Sequence, residues 1–270
     1  MGKISSLESI CKSIRKDILT ISYNAHIGHI GSALSVVEIL VALYFKTLKT
    51  DPEDPLNENR DRFILSKGHA AAALFSVLYR KGYFPEKVLN TFCKDGGKLM
   101  VHPEWNGLPG IEHGTGSLGH GLPVGVGMAY AAKILKQDYK VFVLISDSEI
   151  EEGSVWEAAL FAGHHKLDNL VVILDYNGSQ AMGKVSEILN IEPIGKKWES
   201  FNFEADIVDG HNINQLTKSL AQIKENKPKI IIAKTVMGKG ISFMQNDFRW
   251  HYYDLKNDQF VAAMKELGGK

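Results

Sequence analysis

The sequence predicts one α/β domain spanning residues 1–270, a parallel sheet with helices on both faces. Three observations carry this. Short β-branched runs at Val141–Ile145 (VFVLI), Leu170–Asp175 (LVVILD) and Lys229–Lys234 (KIIIAK) alternate with stretches of helical period. The first two runs are apolar almost throughout instead of alternating, as strands covered on both faces are. At 270 residues and 44% hydrophobic, the chain can bury the core that such a sheet needs.

Taken in order, Ser5–Thr20 and Ser35–Lys46 carry apolar residues at 3.6 spacing and read as helices. A polar connector covers residues 51–61. Gly68–Tyr83 reads as a third helix. The segment from Lys94 to Gly119 is rich in Gly, His and Pro and has no period of its own. An irregular stretch of roughly 25 residues inside a compact domain is more often functional than idle. Gly121–Leu135 (GLPVGVGMAYAAKIL) is a helix of small residues suited to close burial. The strand Val141–Ile145 follows, then a helix near Ser154–His165 and the strand Leu170–Asp175. A strand at Ala205–Val208, a helix near Ile213–Lys224 and the strand Lys229–Lys234 complete the pattern.

Composition excludes several classes. Thirty-one basic and 31 acidic residues give a formal net charge of zero, and no Lys/Arg cluster offers a footprint for nucleic acid. No apolar run approaches the roughly 18 residues that span a bilayer, and the first residues lack the apolar centre of a signal peptide. Cys11 and Cys93 show no pairing pattern, so a cytoplasmic location is expected. No Walker or Rossmann fingerprint is present.

Two strand ends stand out. Asp147 follows VFVLI, and Asp175-Tyr176-Asn177-Gly178 ends LVVIL. In open parallel sheets ligands sit at the carboxyl ends of strands, and a right-handed crossover puts these two ends on one edge. A carboxylate and an amide oxygen converging there suit Mg²⁺ or Ca²⁺ better than zinc, and Mg²⁺ commonly completes its shell with water and phosphate. The ordinary alternative is that both residues cap a helix and a turn. His26 and His29 lack a third ligand at zinc spacing.

Further motifs give the pair a context: NAHIGHIGSALS at Asn24–Ser35, DRFILSKGHA at Asp61–Ala70, VHPE at Val101–Glu104, GTGSLGHGL at Gly114–Leu122, VDGHN at Val208–Asn212, and IIAKTVMGKGISFM followed by Trp250-His251. In this order, over nearly the whole chain, they resemble the N-terminal, diphosphate-binding segment of transketolases. The resemblance implies a thiamine diphosphate-binding fold and a transferase that moves a two-carbon ketol unit from a ketose to an aldose. It implies Asp147, Asn177 and the Ser179 carbonyl as ligands of Mg²⁺ or Ca²⁺. Gly116 and Leu118 match the segment against the aminopyrimidine ring, and Ser148, His69 and His251 also fall among cofactor contacts. His29, His69, His102 and His251 match active-site histidines. Neutral imidazoles hydrogen-bond sugar hydroxyls, and one titrating near ~6.5 shuttles protons. Glu152 and Glu157 match acidic positions that link two active sites across a subunit contact. Their plain alternative is acidity favoured at a helix N-terminus.

The chain departs from the family pattern in three places near the cofactor. Ser146-Asp147-Ser148 replaces Gly-Asp-Gly, Glu112-His113-Gly114-Thr115 replaces Glu-Thr-Ser-Thr, and Gln180-Ala181-Met182-Gly183 lacks the usual Asp before its last Gly. The resemblance also ends near Lys270, before the pyrimidine-binding domain. A second chain carrying that domain and the C-terminal domain is therefore expected, in an assembly with two of each chain acting on sugars or sugar phosphates. Another thiamine diphosphate-dependent enzyme component, or a non-catalytic subunit, are the competing readings.

Overall fold

Five strands form one parallel sheet in the order β1-β2-β3-β7-β6 in the computed structural model, which describes residues 6–268. The chain opens with helices α1 (Leu7–Ala25), α2 (Ile30–Ser35) and α3 (Val37–Ala42), and a π-turn at Leu43–Thr47. Strand β1 (Arg62–Leu65) precedes α4 (Ala71–Lys81) and the short α5 (Glu86–Leu89). Helix α6 (Gly121–Ile134), β2 (Val141–Ser146), α7 (Gly153–His164) and β3 (Leu170–Tyr176) form the next layers. A small antiparallel pair, β4 (Ser179–Gln180) and β5 (Gly183–Lys184), leads to α8 (Val185–Ile188) and α9 (Ile194–Ser200). Strand β6 (Glu204–Asp209), α10 (Ile213–Ala221), β7 (Lys229–Lys234) and α11 (Asn257–Glu266) finish the chain.

The central strands are apolar throughout because each face has its own core. Phe142, Leu144, Val171, Ile173 and Ile231 point into one cluster with α1 to α4. Val141, Val143, Ile145, Val172 and Ile232 point into the other with α6, α7 and Trp198 of α9. Side chains of period 2 make both clusters from the same strands. Close packing fixes the helices. A Cβ on Gly125 of α6 would lie 2.4 Å from the Val143 side chain, so only glycine lets this helix sit so near β2.

The parallel fold and the irregular Lys94–Gly119 segment agree with the sequence reading, and several local features differ from it. The expected helix start at Ser5 lies outside the described residues, and α1 continues to Ala25. The single helix Ser35–Lys46 is instead α2, α3 and the π-turn, broken at Val36 (φ −98°, ψ 4°). β1 was not expected: four residues flanked by charge carry too little periodicity to announce a strand. Helices α9 and α11 were also unforeseen. Among the described residues, no helix is long and apolar enough to cross a membrane.

Candidate active site

Because the sheet is parallel, the carboxyl ends of β1, β2, β3 and β7 share one edge. Ser146 pairs in register with Asp175, which sets Asp147 beside the turn after β3. The Gly178 N–H donates to Asp147 Oδ2 at 2.7 Å, and the Ser148 N–H donates to Oδ1 at 3.0 Å. Asn177 Oδ1 accepts from the Ser179 N–H at 2.9 Å. The two strand ends do converge.

Asp147 is 1% exposed, and among the described residues no cationic side chain pairs with it. Burial, then the neighbouring Asp175 carboxylate, pushes its carboxyl up to about 7. A buried carboxylate with this deficit fits a divalent cation. So does the donor set, since a carboxylate, an amide carbonyl and a backbone carbonyl are all hard oxygens. No group of three or more His, Cys, Asp or Glu among the described residues makes a metal cage, which leaves zinc at His26 and His29 without support. An oxygen site short of protein ligands suits an ion that takes phosphate and water.

Ser148 has φ −68° and ψ −28°, ordinary right-handed backbone, so serine fits where the family has glycine. The Ser146 and Ser148 hydroxyls lie 3.2 Å apart and hydrogen-bond each other. Glu112, in the second departing motif, pairs with Arg60 (Nη2 to Oε2, 3.0 Å). Gln180, in the third, donates to Glu151.

The four expected histidines meet in space from four segments. His29 is central, with ring centroids 5.7 Å from His69, 6.0 Å from His102 and 4.9 Å from His251. His69 and His251 lie 5.1 Å apart. His29 caps α2 with φ 64°, a left-handed conformation uncommon outside glycine. Its N–H donates to the His251 carbonyl at 2.8 Å, and its buried Nδ1 has no partner among the described residues. The β4 strand packs near the Phe248–His251 turn, joining the histidines to the oxygen site.

All four imidazoles are shifted toward the neutral form. Burial, then the neighbouring His102 and Lys67, lowers His29 to about 4; burial, then His29 and Lys67, lowers His251 to about 4. Burial also pulls His69 well down and His102 down. Neutral rings of this kind can donate and accept hydrogen bonds without carrying charge.

Gly116 backs onto His102, its notional Cβ 3.3 Å from the ring, and half-buried Leu118 accepts from His120 Nδ1 at 3.0 Å through its carbonyl. Glu152 caps α7 and packs on Gly119, while Glu157 is one turn further on. Both are exposed, and neither side chain forms a hydrogen bond or ion pair among the described residues.

Sequence reasoning missed three residues beneath the site. Glu149, fully buried, accepts from the Ser66 hydroxyl, the Gly119 N–H (2.9 Å) and the Ser146 N–H (3.3 Å), tying the Gly-rich segment to two strand ends. Lys67 and Asp175, both 0% exposed, form a buried ion pair. Burial alone would raise Asp175; the Lys67 ammonium and the Thr235 and Ser35 hydroxyls outweigh it and hold the carboxyl below its usual range. A charged residue ending an apolar strand was the available signal. His211, unassigned from sequence, accepts the Val236 N–H at Nε2 (2.9 Å), so its Nδ1–H donates to Glu38 (2.9 Å).

The model of the family "Transketolase, thiamine diphosphate binding domain" matches residues 7–270. The chain belongs to the transketolase family. An apulose-4-phosphate transketolase subunit from Actinobacillus succinogenes is 44% identical over 263 residues, 97% of this chain and 95% of that protein. A 6-deoxy-6-sulfo-D-fructose transketolase subunit, SqwG, from a Clostridium species is 40% identical over 89% of this chain and 88% of its own length. Among solved structures, the transketolase from Leishmania mexicana superposes with a TM-score of 0.94 at 29% identity, covering 98% of this chain. The chain spans only 42% of that transketolase's length.

In a transketolase scaffold, one glycine holds the histidines together. A Cβ on Gly28 would stand 2.6 Å from the Tyr252 carbonyl oxygen and 2.8 Å from its carbon, both backbone atoms. Gly28→Ala is expected to force the His29 and His251 segments apart and to destabilise the chain by about 1–3 kcal/mol, as overpacking does. Thermal melts check this; an unchanged melting temperature would show that the two segments yield freely.

Proposed function

We propose that this chain is the thiamine diphosphate- and Mg²⁺-binding subunit of a split transketolase, moving a two-carbon ketol unit from a ketose donor to an aldose acceptor. The four-histidine cluster beside the oxygen site carries this reading, because a 2-oxoacid enzyme component has no need of several neutral imidazoles for sugar hydroxyls. Asp147, Asn177 and the Ser179 carbonyl would hold the metal (Mg²⁺, or Ca²⁺ in its place), with Ser148, Gly116, Leu118, His69 and His251 along the cofactor. When bound, thiamine diphosphate supplies the carbanion that breaks and forms the C–C bond. The protein's own work is narrower. His29, with its unpartnered Nδ1, and His102 receive sugar hydroxyls, while His69 and His251 close the cluster and exclude water.

The pyrimidine-binding and C-terminal domains belong, in this reading, to a second chain, in an assembly with two of each. Two relatives similar over nearly their whole length are themselves described as subunits, and both act on sugars. Glu152 and Glu157, exposed and unpaired in the single chain, are placed at the subunit contact. Two free cysteines agree with a cytoplasmic enzyme.

The test is ketol transfer from a panel of phosphorylated and sulfonated ketoses, with this chain alone and with its co-purified partner. Turnover is expected only in the mixture. Turnover by the pure single chain would end the split-enzyme reading.

A further inference from the structure

Asp175 sits where four segments meet. Its Oδ2 accepts from Lys67 Nζ, from Ser35 Oγ at 2.7 Å and from Asn177 Nδ2 at 3.0 Å, and its Oδ1 accepts from the Thr235 hydroxyl. These donors come from the end of β1, from α2, from the turn after β3 and from the end of β7. The break in the helix at Val36 leaves Ser35 directed at this carboxylate.

Stability is a weak reason for such a pair. Lys67 and Asp175 have no solvent contact, and apolar residues of similar volume commonly serve a core as well or better. Geometry gives a stronger reason. A carboxylate facing an ammonium and three further donors only accepts. Asn177 must therefore meet it with the amide NH₂, which turns Oδ1 the other way. That oxygen faces the Ser179 N–H at 2.9 Å, in the turn whose Gly178 N–H reaches Asp147 at 2.7 Å. A reversed amide would aim two N–H groups at a cation.

We propose that the Lys67–Asp175 pair is a positioning device that fixes the Asn177 amide with its carbonyl oxygen, and not its NH₂, toward the metal–diphosphate site. The inference rests on the function proposed above. Residues that orient a metal ligand from behind commonly govern affinity by about 10–100-fold.

The test uses the assembled enzyme with its partner chain. Lys67→Met combined with Asp175→Leu replaces the ion pair by apolar volume. Two readouts are taken: the melting temperature without metal, and Mg²⁺ affinity at fixed thiamine diphosphate by calorimetry. A melting temperature within a few degrees of the parent, with Mg²⁺ affinity lower by about tenfold or more, is the expected result. A purely structural pair would move the melting temperature and leave the affinity alone, which overturns the proposal. If the double variant does not fold, Asp175→Asn keeps the shape and accepts either end of the Asn177 amide. Severalfold weaker Mg²⁺ binding is expected there, and unchanged binding overturns the proposal equally. Absence of thiamine diphosphate binding by the parent itself would overturn the proposed function instead, so the two failures are distinct.

Discussion

Asp147→Ala is expected to weaken Mg²⁺-dependent thiamine diphosphate binding by more than about 100-fold, because even residues behind a metal ligand govern affinity by 10–100-fold. Of the three proposed ligands only Asp147 would carry a full negative charge; Asn177 and Ser179 would contribute neutral carbonyls. Removing it leaves a cation bound by dipoles and by whatever phosphate it brings. Folding is expected to change far less, because two effects oppose. Alanine leaves the Gly178 and Ser148 N–H groups without their acceptor, a loss of about 1–3 kcal/mol for unpaired buried donors. It also removes a carboxyl that burial pushes up to about 7. A carboxyl whose folded pKa is raised penalises the folded state increasingly as pH rises from about 4 to 7, so at pH 8 the substitution relieves that penalty. Calorimetric titration of thiamine diphosphate with Mg²⁺ into the assembled chains, beside thermal melts, separates binding from stability. Retained binding in a folded Asp147→Ala protein would remove Asp147 from the site.

What the sequence made legible follows from the physics of each feature. The central strands β2, β3 and β7 were plain because both faces are buried, so their runs are nearly unbroken apolar residues. Strand β1 was hidden because its four residues, Arg62 among them and Asp61 before them, give no alternation, although β1 pairs with β2 over its whole length. Asp147 and Asn177 were legible as polar strand ends that one right-handed crossover brings together. Asp175 was quoted with them, yet its role was not. A strand's last aspartate shows its charge in the sequence, whereas its partners lie 140 residues away at Ser35, 108 at Lys67 and 60 at Thr235. The histidines were found by motif and were read as neutral rings, but how far burial lowers them was not legible, for a related reason. Burial and mutual repulsion are properties of the assembled cluster and belong to none of the four segments alone.

That clustering has a measurable consequence for stability. Relative to a His29→Asn, His251→Asn double variant, the metal-free chain is expected to lose stability as pH falls from about 6.5 toward 4. The sign follows from linkage. Both imidazoles have folded values lowered to about 4, against about 6.5 in the unfolded chain. Below 6.5 the unfolded state therefore binds the extra protons, so the stability is complete above 6.5 and drains away as pH falls through that window. His69 and His102, both lowered, act in the same direction. A ring lowered from about 6.5 to about 4 would alone correspond to about 3.4 kcal/mol. Both rings keep access to solvent, and screening reduces the usable effect to about 1 kcal/mol apiece. Asp147 opposes them, since its carboxyl gains a proton in the folded state as pH falls from about 7. Because Asp147 opposes them in the parent and in the variant alike, the difference between the two profiles, and not the parent's own slope, reports the two rings. Melts of parent and double variant between pH 4.5 and 7.5 isolate the cluster, because every other carboxylate contributes equally to both. Parallel pH profiles would show that folding does not lower His29 and His251.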